Sequence, residues 1–342
     1  INFAATQNGN LKLIGSSADD TYTFSGLSTL TNDDTIDGNA GTDTIQILNN
    51  TSPGGADGTG DAMNAGNSKT IAIGANHKGL ENITITDLAA DFGGDIEITI
   101  ADGYTDTSLT IDGSSLDVNS TDETDGETLK VVSSDANTAL TILGGAGQDT
   151  ITGGGAADSI VGGGAFDSLT GGGGNDTIEG GAGADTLVGG AGTDNISGGA
   201  GNDKINVSTF ANFKTSGGVE TVDGGAGTDS LNFAANAELV LTAPELSKLT
   251  SIETITLATQ GNASTLTFGN ETFENLGASS LAIVSNTASG VTTIDGSAVS
   301  NGSFLIINDI GADTADKYVG GSGDDIFRFD GSAGLKANDT VT

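Results

Sequence analysis

The chain has 342 residues, and its 46 acidic against 10 basic side chains give a net charge of −36. This charge repels nucleic acid and anionic lipid surfaces, so cations are the expected partners. Cysteine is absent and histidine occurs once, which excludes disulfides, thiolate catalysis and zinc sites built on cysteine or histidine clusters. No apolar run reaches the ~18 residues of a membrane span, so we expect no membrane insertion.

Residues 1–143 combine glycine loops with short alternating segments. A degenerate loop, GSSADDTYT, begins at Gly15 and contains Asp20, and a clearer one, GNAGTDTIQ, contains Asp43. The alternating segments are residues 79–86, 96–100, 108–116, 128–132 and 139–143. Such strands suit a sandwich or barrel as well as a solenoid. We favour a right-handed parallel β-helix, because its rungs continue the coil of the central repeats.

Two other features of this first module have no clear role in chemistry. The sequence identifies no second titrating partner for His77, and we expect this histidine to be an exposed loop residue. Residues 117–127 (DVNSTDETDGE) are predicted to be a solvated loop, with a surface calcium site as the alternative.

Residues 144–206 are seven consecutive nonapeptides: GGAGQDTIT, GGGAADSIV, GGGAFDSLT, GGGGNDTIE, GGAGADTLV, GGAGTDNIS and GGAGNDKIN. Each keeps an aspartate at its sixth place: Asp149, Asp158, Asp167, Asp176, Asp185, Asp194 and Asp203. Each also keeps a branched aliphatic at its eighth place: Ile151, Ile160, Leu169, Ile178, Leu187, Ile196 and Ile205. We therefore treat residues 144–206 as a module of its own.

The nonapeptide divides into a turn and a strand. Its first six residues must turn sharply, which favours glycine because glycine reaches positive φ without a Cβ clash. Its last three residues alternate polar and aliphatic, which predicts a very short strand with one buried face. One such strand buries little surface, so two nonapeptides are expected to form an 18-residue coil, and the coils to stack ~4.8 Å apart.

Stacking brings the aspartates of every second unit to the same corner of the coil. Two carboxylates 4 Å apart repel each other by about 4 kcal/mol at an effective dielectric of 20. A cation is therefore needed between coils. A hard ion that accepts many oxygens at irregular geometry is Ca²⁺ rather than Mg²⁺. Seven units leave five gaps, and we predict about five full sites: Asp149/Asp167, Asp158/Asp176, Asp167/Asp185, Asp176/Asp194 and Asp185/Asp203.

The seven units resemble the RTX calcium-binding β-roll, whose repeat is G-G-x-G-x-D-x-U-x. The resemblance implies that the sixth-place aspartates and the carbonyls of the glycine loop bind Ca²⁺. It also implies an exported protein that folds when it meets external calcium. Ala156 and Ala165 replace the fourth-place glycine, so we expect strain of ~1 kcal/mol in each loop and better sites from Asp176 to Asp203.

Residues 207–319 form a second module like the first. It carries the loop GGAGTDSLN with Asp229. Its alternating segments are residues 251–257, 264–268, 280–284, 292–299 and 304–308. For the isolated loops with Asp20, Asp43, Asp229 and Asp325, a turn that caps a ladder and a calcium ligand are equally good interpretations.

Residues 320–342 are predicted to begin a further, truncated module. Their loop GGSGDDIFR contains Asp325, and aligning Gly320 with Gly15 pairs Asp325 with Asp20 and Val341 with Ile36 at a constant offset. We expect the parent protein to be an array of such modules.

Motifs for catalysis are scarce. The sequence has no G-x-S-x-G elbow, H-E-x-x-H pair or Walker loop. Asp19/Asp20 and Asp324/Asp325 are possible glycosidase pairs, but the second member of each already fits the metal register. We expect no enzyme activity.

Most of the chain resembles RTX-type bacterial surface-layer proteins, in composition, alternating strand segments and scattered RTX loops. The resemblance implies a calcium-dependent structural protein that leaves the cell by type I secretion and self-associates at the surface, with cell-surface polysaccharide as a further possible partner. The alternatives are the stalk of a secreted RTX adhesin and the non-catalytic region of an RTX enzyme.

Overall fold

The computed structural model describes most of the chain. The described residues are 2–4, 11–25, 30–31, 33–49, 69–87, 96–116, 127–207, 214–215, 218–233, 239–257, 264–269, 280–285, 292–300, 304–309, 316–329 and 339–342. They form two compact units, residues 1–182 and 183–342. The division into four modules made above stays a prediction.

The first unit is built almost entirely of short strands. They are β1 (Asn2–Ala4), β2 (Lys12–Ile14), β3 (Thr21–Ser25), β4 (Thr35–Asp37), β5 (Thr44–Asn49), β6 (Lys69–Ile73), β7 (His77–Lys78), β8 (Asn82–Asp87), β9 (Ile96–Ile100), β10 (Ser108–Asp112), β11 (Leu129–Ser133), β12 (Ala139–Gly145), β13 (Thr150–Gly154), β14 (Ser159–Gly164), β15 (Ser168–Gly173) and β16 (Thr177–Ala182).

These strands stack coil upon coil in parallel sheets. One sheet has the order β1-β3-β5-β8-β10-β12-β14-β16, a second β6-β9-β11-β13-β15 and a third β2-β4-β7. The register places inward aliphatics above one another. One such ladder runs through Ile83, Ile111, Ile142, Ile160 and Ile178, all of them buried. The core of this unit is therefore a thin stack of aliphatics inside the coils.

The second unit repeats this construction. Its elements are β17 (Thr186–Ala191), β18 (Asn195–Ala200), β19 (Lys204–Val207), β20 (Lys214–Thr215), β21 (Gly218–Val219), β22 (Thr221–Ala226), β23 (Ser230–Phe233), β24 (Leu239–Leu241), the one-turn helix α1 (Ala243–Leu246), β25 (Leu249–Thr250), β26 (Thr254–Leu257), β27 (Ser264–Gly269), β28 (Ser280–Ser285), β29 (Thr292–Ala298), β30 (Phe304–Asp309), β31 (Lys317–Val319), β32 (Ile326–Phe329) and β33 (Thr340–Val341).

In this unit the parallel orders are β17-β19-β23-β26-β28-β30-β32, β18-β22-β25 and β24-β27-β29-β31-β33. Strands β20 and β21 form a small antiparallel hairpin. A buried ladder runs through Leu187, Ile205, Leu231, Ile255, Ile283 and Ile307. No helix among the described residues is long and apolar enough to cross a membrane.

The predicted all-β parallel solenoid is confirmed. Each of the ten alternating segments contains a strand, and all of those strands pair in parallel, as a β-helix requires. The strands of the nonapeptides are longer than the three residues expected. β14, for example, has six residues, because its last three glycines continue the extended backbone beyond the aliphatic residue. Its pattern of buried side chains places both Ile160 and Gly162 inward.

The expectation that His77 is exposed is wrong. His77 lies in β7 and is fully buried, and its side chain continues the inward column of Leu13 and Ile36. The Nδ1 atom accepts the Gly74 N–H at 3.2 Å, and burial lowers the pKa of the imidazole. The histidine is therefore a neutral core residue, which a residue type alone does not reveal.

Of the two alanines expected to be strained, only one has a strained backbone conformation. Ala165 has φ 66°, in the left-handed region, whereas Ala156 is not among the described residues with positive φ. Fourth-place glycines elsewhere in the array, such as Gly183 at φ 148°, use backbone that only glycine adopts easily. Strain is therefore confirmed at Ala165 and not at Ala156.

Replacing Ala165 by glycine should stabilise the fold by about 0.5–1 kcal/mol, because glycine adopts φ 66° without the Cβ penalty. Ala156→Gly is the matched control and should cost a similar amount, because it only adds freedom to the unfolded chain. Urea unfolding in saturating calcium measures both. If both variants change the free energy of unfolding in the same direction, this assignment of strain is wrong.

Candidate metal centre

The repeat aspartates lie at the corners of the coils. Each sixth-place aspartate directly precedes the strand that carries its aliphatic residue, so the register that aligns the aliphatics also aligns the carboxylates. All seven are buried, with exposed fractions of 1–4 %. Carboxylates are almost never this buried without partners, so the partners of these groups decide what the corners do.

The first partner is the backbone of the preceding coil. The N–H of Asp149 donates to Oδ1 of Asp167, and the N–H of Asp158 donates to Oδ1 of Asp176, both at 2.8 Å. In the second unit the N–H of Asp185 donates to Oδ1 of Asp203 at 2.8 Å. Three of the five predicted pairs are therefore brought together, and each of the other two has one member in each unit.

The second carboxylate oxygen points at the first-place glycine of its own repeat. A Cβ on Gly162 would collide with Oδ2 of Asp167 and would lie 2.7 Å from the carbonyl oxygen of Gly180 in the next coil. The same approach recurs at Gly153 with Asp158 and at Gly198 with Asp203. First-place glycine is thus required for space, because the carboxylate and a neighbouring carbonyl occupy the region where a side chain would lie.

Several of these second oxygens are buried without any hydrogen bond. Among the described residues they include Oδ2 of Asp43, Asp158, Asp203 and Asp229. An unpartnered buried carboxylate oxygen is costly, since desolvation penalises its charge. The corners therefore have an unmet requirement for positive charge.

Burial acts on the protonation of these groups. It raises the pKa of Asp149 to about 7 and that of Asp158 to about 6. Burial and then the charge of Asp185 raise the pKa of Asp203. Without a cation, neutral pH thus leaves these carboxyls either protonated or charged at a cost to the fold.

The donor set fits calcium. The described ion pairs, Lys78–Asp37 at 2.7 Å and Lys130–Glu97 at 2.8 Å, involve none of the repeat aspartates. No three His, Cys, Asp or Glu side chains converge within the described ranges, so an ion at a corner needs backbone carbonyls as further ligands. Ca²⁺ accepts such a mixture of carboxylate and carbonyl oxygens, and it would supply the missing positive charge.

The isolated loops are not isolated in the fold. Asp20 donates its N–H to Oδ1 of Asp43 at 2.7 Å, and Asp203 donates to Oδ1 of Asp229 at 2.7 Å. Oδ1 of Asp325 accepts the N–H of Leu305 at 2.9 Å. All four loop aspartates therefore join the corner ladders, and their roles as calcium ligands stay a prediction.

Sequence reasoning missed further acids that accept backbone N–H groups of the preceding coil. Glu81 accepts the N–H of Asp43, and Glu253 accepts the N–H of Asp229, both at 2.7 Å through Oε2. Asp34 and Asp316 accept backbone N–H groups in the same way. Each of these acids lies two positions before an inward residue, as in Glu81-x-Ile83. That triplet was the available signal, and it lies outside the nonapeptide pattern.

The acidic stretch at residues 117–127 lies outside the described residues except for Glu127, which is buried.

Gly162→Ala should destabilise the fold by roughly 1–3 kcal/mol, because its methyl group would overlap the Asp167 carboxylate. Gly173→Ala is the control: its Cβ would meet nothing closer than 3.7 Å, so its effect should stay within about 0.5 kcal/mol. Urea denaturation in saturating calcium compares the two. Equal losses would show that the space beside Asp167 is not special.

In calcium-stripped buffer, stability should fall as the pH rises from about 4 to about 7. The raised pKa values of Asp149 and Asp158 mean that the fold holds protons in this range that the unfolded chain has released. Mild acid should therefore partly replace calcium, and far-UV circular dichroism should show more β-sheet at pH 5 than at pH 7.5.

A control distinguishes the effect of these two carboxyl groups from the effect of removing any two acidic groups. Asp149→Asn with Asp158→Asn should weaken the pH dependence and leave the part that comes from Glu220, whose pKa burial raises to about 8. Glu179→Gln with Asp112→Asn, which are not repeat aspartates, should leave the pH dependence intact. A pH dependence unchanged by the first pair contradicts the assignment.

Comparison with known proteins identifies the repeats. The profile of the RTX calcium-binding nonapeptide repeat, in four copies, matches residues 27–46, 141–169 and 170–205. These segments contain Asp43 and all seven array aspartates. No curated protein and no solved structure matches the chain. RTX nonapeptides bind Ca²⁺ at multiple sites and indicate a calcium-binding structural region of a secreted protein. Residues 27–46 and 141–205 therefore carry RTX calcium-binding nonapeptide repeats.

Proposed function

We propose that the chain is a calcium-stiffened structural segment of a bacterial surface layer, and that it carries no catalytic site. The observation that supports this role is that each unit consists of stacked parallel coils whose corners are lined with buried acids. Calcium at millimolar concentration outside the cell would neutralise the corners and order the coils there. Inside the cell the chain would stay unfolded and exportable.

The hydrogen bonds of the acids count against an enzymatic role. Acids of both suggested pairs accept backbone N–H groups: Oδ2 of Asp20 accepts that of Ser16 at 2.6 Å and Oδ2 of Asp325 that of Gly321 at 2.8 Å, each within its own loop. Both oxygens of Asp325 are committed in this way, because its Oδ1 also accepts the N–H of Leu305. The pairs Asp19/Asp20 and Asp324/Asp325 therefore make poor candidates for glycoside hydrolysis.

Electron microscopy of the calcium-loaded protein tests the surface-layer role against the other RTX roles. A regular planar array that disperses in chelator supports a coat. Separate rods that form no lattice at any calcium concentration contradict it and favour the stalk of an adhesin. Hydrolase or epimerase activity of the purified chain contradicts the structural role altogether.

The β-sheet signal in far-UV circular dichroism should appear on calcium addition and disappear in excess chelator at pH 7.5. We expect about five ions in the nonapeptide array when binding is measured by calorimetry. Ordered β-sheet that persists in chelator would show that the ion is not the folding switch.

Asp158→Asn should raise the calcium concentration at the folding midpoint several-fold, because the variant removes a buried charge whose Oδ2 has no hydrogen bond. Glu179→Gln removes the same charge from an exposed site in the same array and should leave the midpoint unchanged. The same titration measures both variants, and equal shifts would contradict a local site at Asp158.

A further inference from the structure

The coil at residues 316–342 repeats the coil at residues 11–37 in its hydrogen bonds. β31 pairs with β33 through Tyr318 and Val341, as β2 pairs with β4 through Leu13 and Ile36. Every partner is shifted by the same offset, which the sequence alignment of Gly15 with Gly320 also shows. The two segments therefore have the same register as well as similar sequences.

Individual bonds confirm the equivalence. The N–H of Leu11 donates to Oδ1 of Asp34 at 2.7 Å, and the N–H of Asp316 donates to Oδ1 of Asp339 at 2.9 Å. The bonds from Gly15 to the Asp37 carbonyl and from Gly320 to the Thr342 carbonyl, at 2.7 and 2.8 Å, correspond in the same way.

The coil at residues 11–37 carries the next coil on its edge. β3 pairs with β5 over five residues, and β4 pairs with β7. At the corner, Asp20 donates its N–H to Oδ1 of Asp43, and its carbonyl accepts the Thr44 N–H at 2.9 Å. This edge is therefore a specific acceptor for the sequence that begins at Gly38.

The chemical groups of that acceptor recur in the coil at residues 316–342. The carbonyl of Gly15 accepts the Asn39 side chain, and the Asp19 carboxylate accepts the Thr42 N–H, both at 2.8 Å. The equivalent residues are Gly320 and Asp324, and Asp20 corresponds to Asp325. One contact is lost, because Thr342 stands where Asp37 pairs with Lys78.

Among the described strands, β32 and β33 are the outermost in their sheets. On β33, Val341 is 38 % exposed, whereas its equivalent Ile36 is fully buried beneath β7. The edge thus has both the hydrogen-bonding groups and the apolar surface of an acceptor.

We propose that the coil at residues 316–342 is a docking edge for a second copy of this module, entering at its Gly38. Strands equivalent to β5 and β7 of that copy pair with β32 and β33, and its Asp43 accepts the Asp325 N–H. Modules joined in this way continue the sheets and the acid ladder without a linker. The inference extends the structural role proposed above, but it depends on strand register and not on calcium.

A tandem chain tests this, with residues 1–342 followed directly by residues 38–342. Hydrogen exchange read by mass spectrometry reports on peptides that cover β32 and β33. The measurement is made where the single chain shows its β-sheet signal, in calcium and, if the fold persists, without it. We expect exchange in these peptides to slow about tenfold or more relative to the single chain.

Two variants of the second copy make the test specific. Thr44→Pro removes the N–H that would donate to the Asp325 carbonyl and should restore the exchange rates of the single chain, whereas Thr44→Ala should keep the protection. A tandem chain that exchanges like the single chain overturns the proposal. Protection that survives Thr44→Pro, or that depends on protein concentration, overturns it as well. A calcium-independent fold with slowed exchange would contradict the calcium switch and leave the docking edge standing.

Discussion

The fold depends on one contact, in which the carboxylate of a corner acid accepts a backbone N–H from the preceding coil. The bonds from Asp149 to Asp167 and from Asp203 to Asp229 are examples, at 2.8 and 2.7 Å. This contact links consecutive coils and draws a charge into the interior. One oxygen is satisfied, and the other, as in Asp158, needs a cation. The same residue thus supports the coil and makes it dependent on metal.

The glycines follow from that contact. The second oxygen fills the space beside the first-place glycine, so a side chain there would displace the carboxylate. The aliphatic ladder alone is thin, because each coil of the array contributes only small inward surfaces such as Ile160 and Leu169. Hydrophobic burial therefore supplies limited stability per coil, and neutralising the corners decides whether coils stack.

Much of this architecture could be predicted from the sequence, because strict spacing carries it. The nonapeptides identified the aspartates and aliphatics, and alternation located ten of the strands that flank the array. Glu81 and Glu253 escaped because their coils lack the glycine loop, although each accepts the N–H of a loop aspartate. The burial of His77 escaped because only pairing with Ile36 places it inside. Strain occurs at Ala165 but not at Ala156 because their backbone angles differ, and the similar sequences of the two loops do not reveal this difference.

The central claim is that Ca²⁺ lies between consecutive coils at the aspartate corners. The most direct measurement is a crystal structure of the calcium-loaded protein with anomalous diffraction collected at long wavelength. We predict a row of anomalous peaks, each within bonding distance of repeat aspartates such as Asp149 and Asp167 and of loop carbonyls. Ordered coils with calcium in the crystal but no anomalous signal at those corners would contradict it.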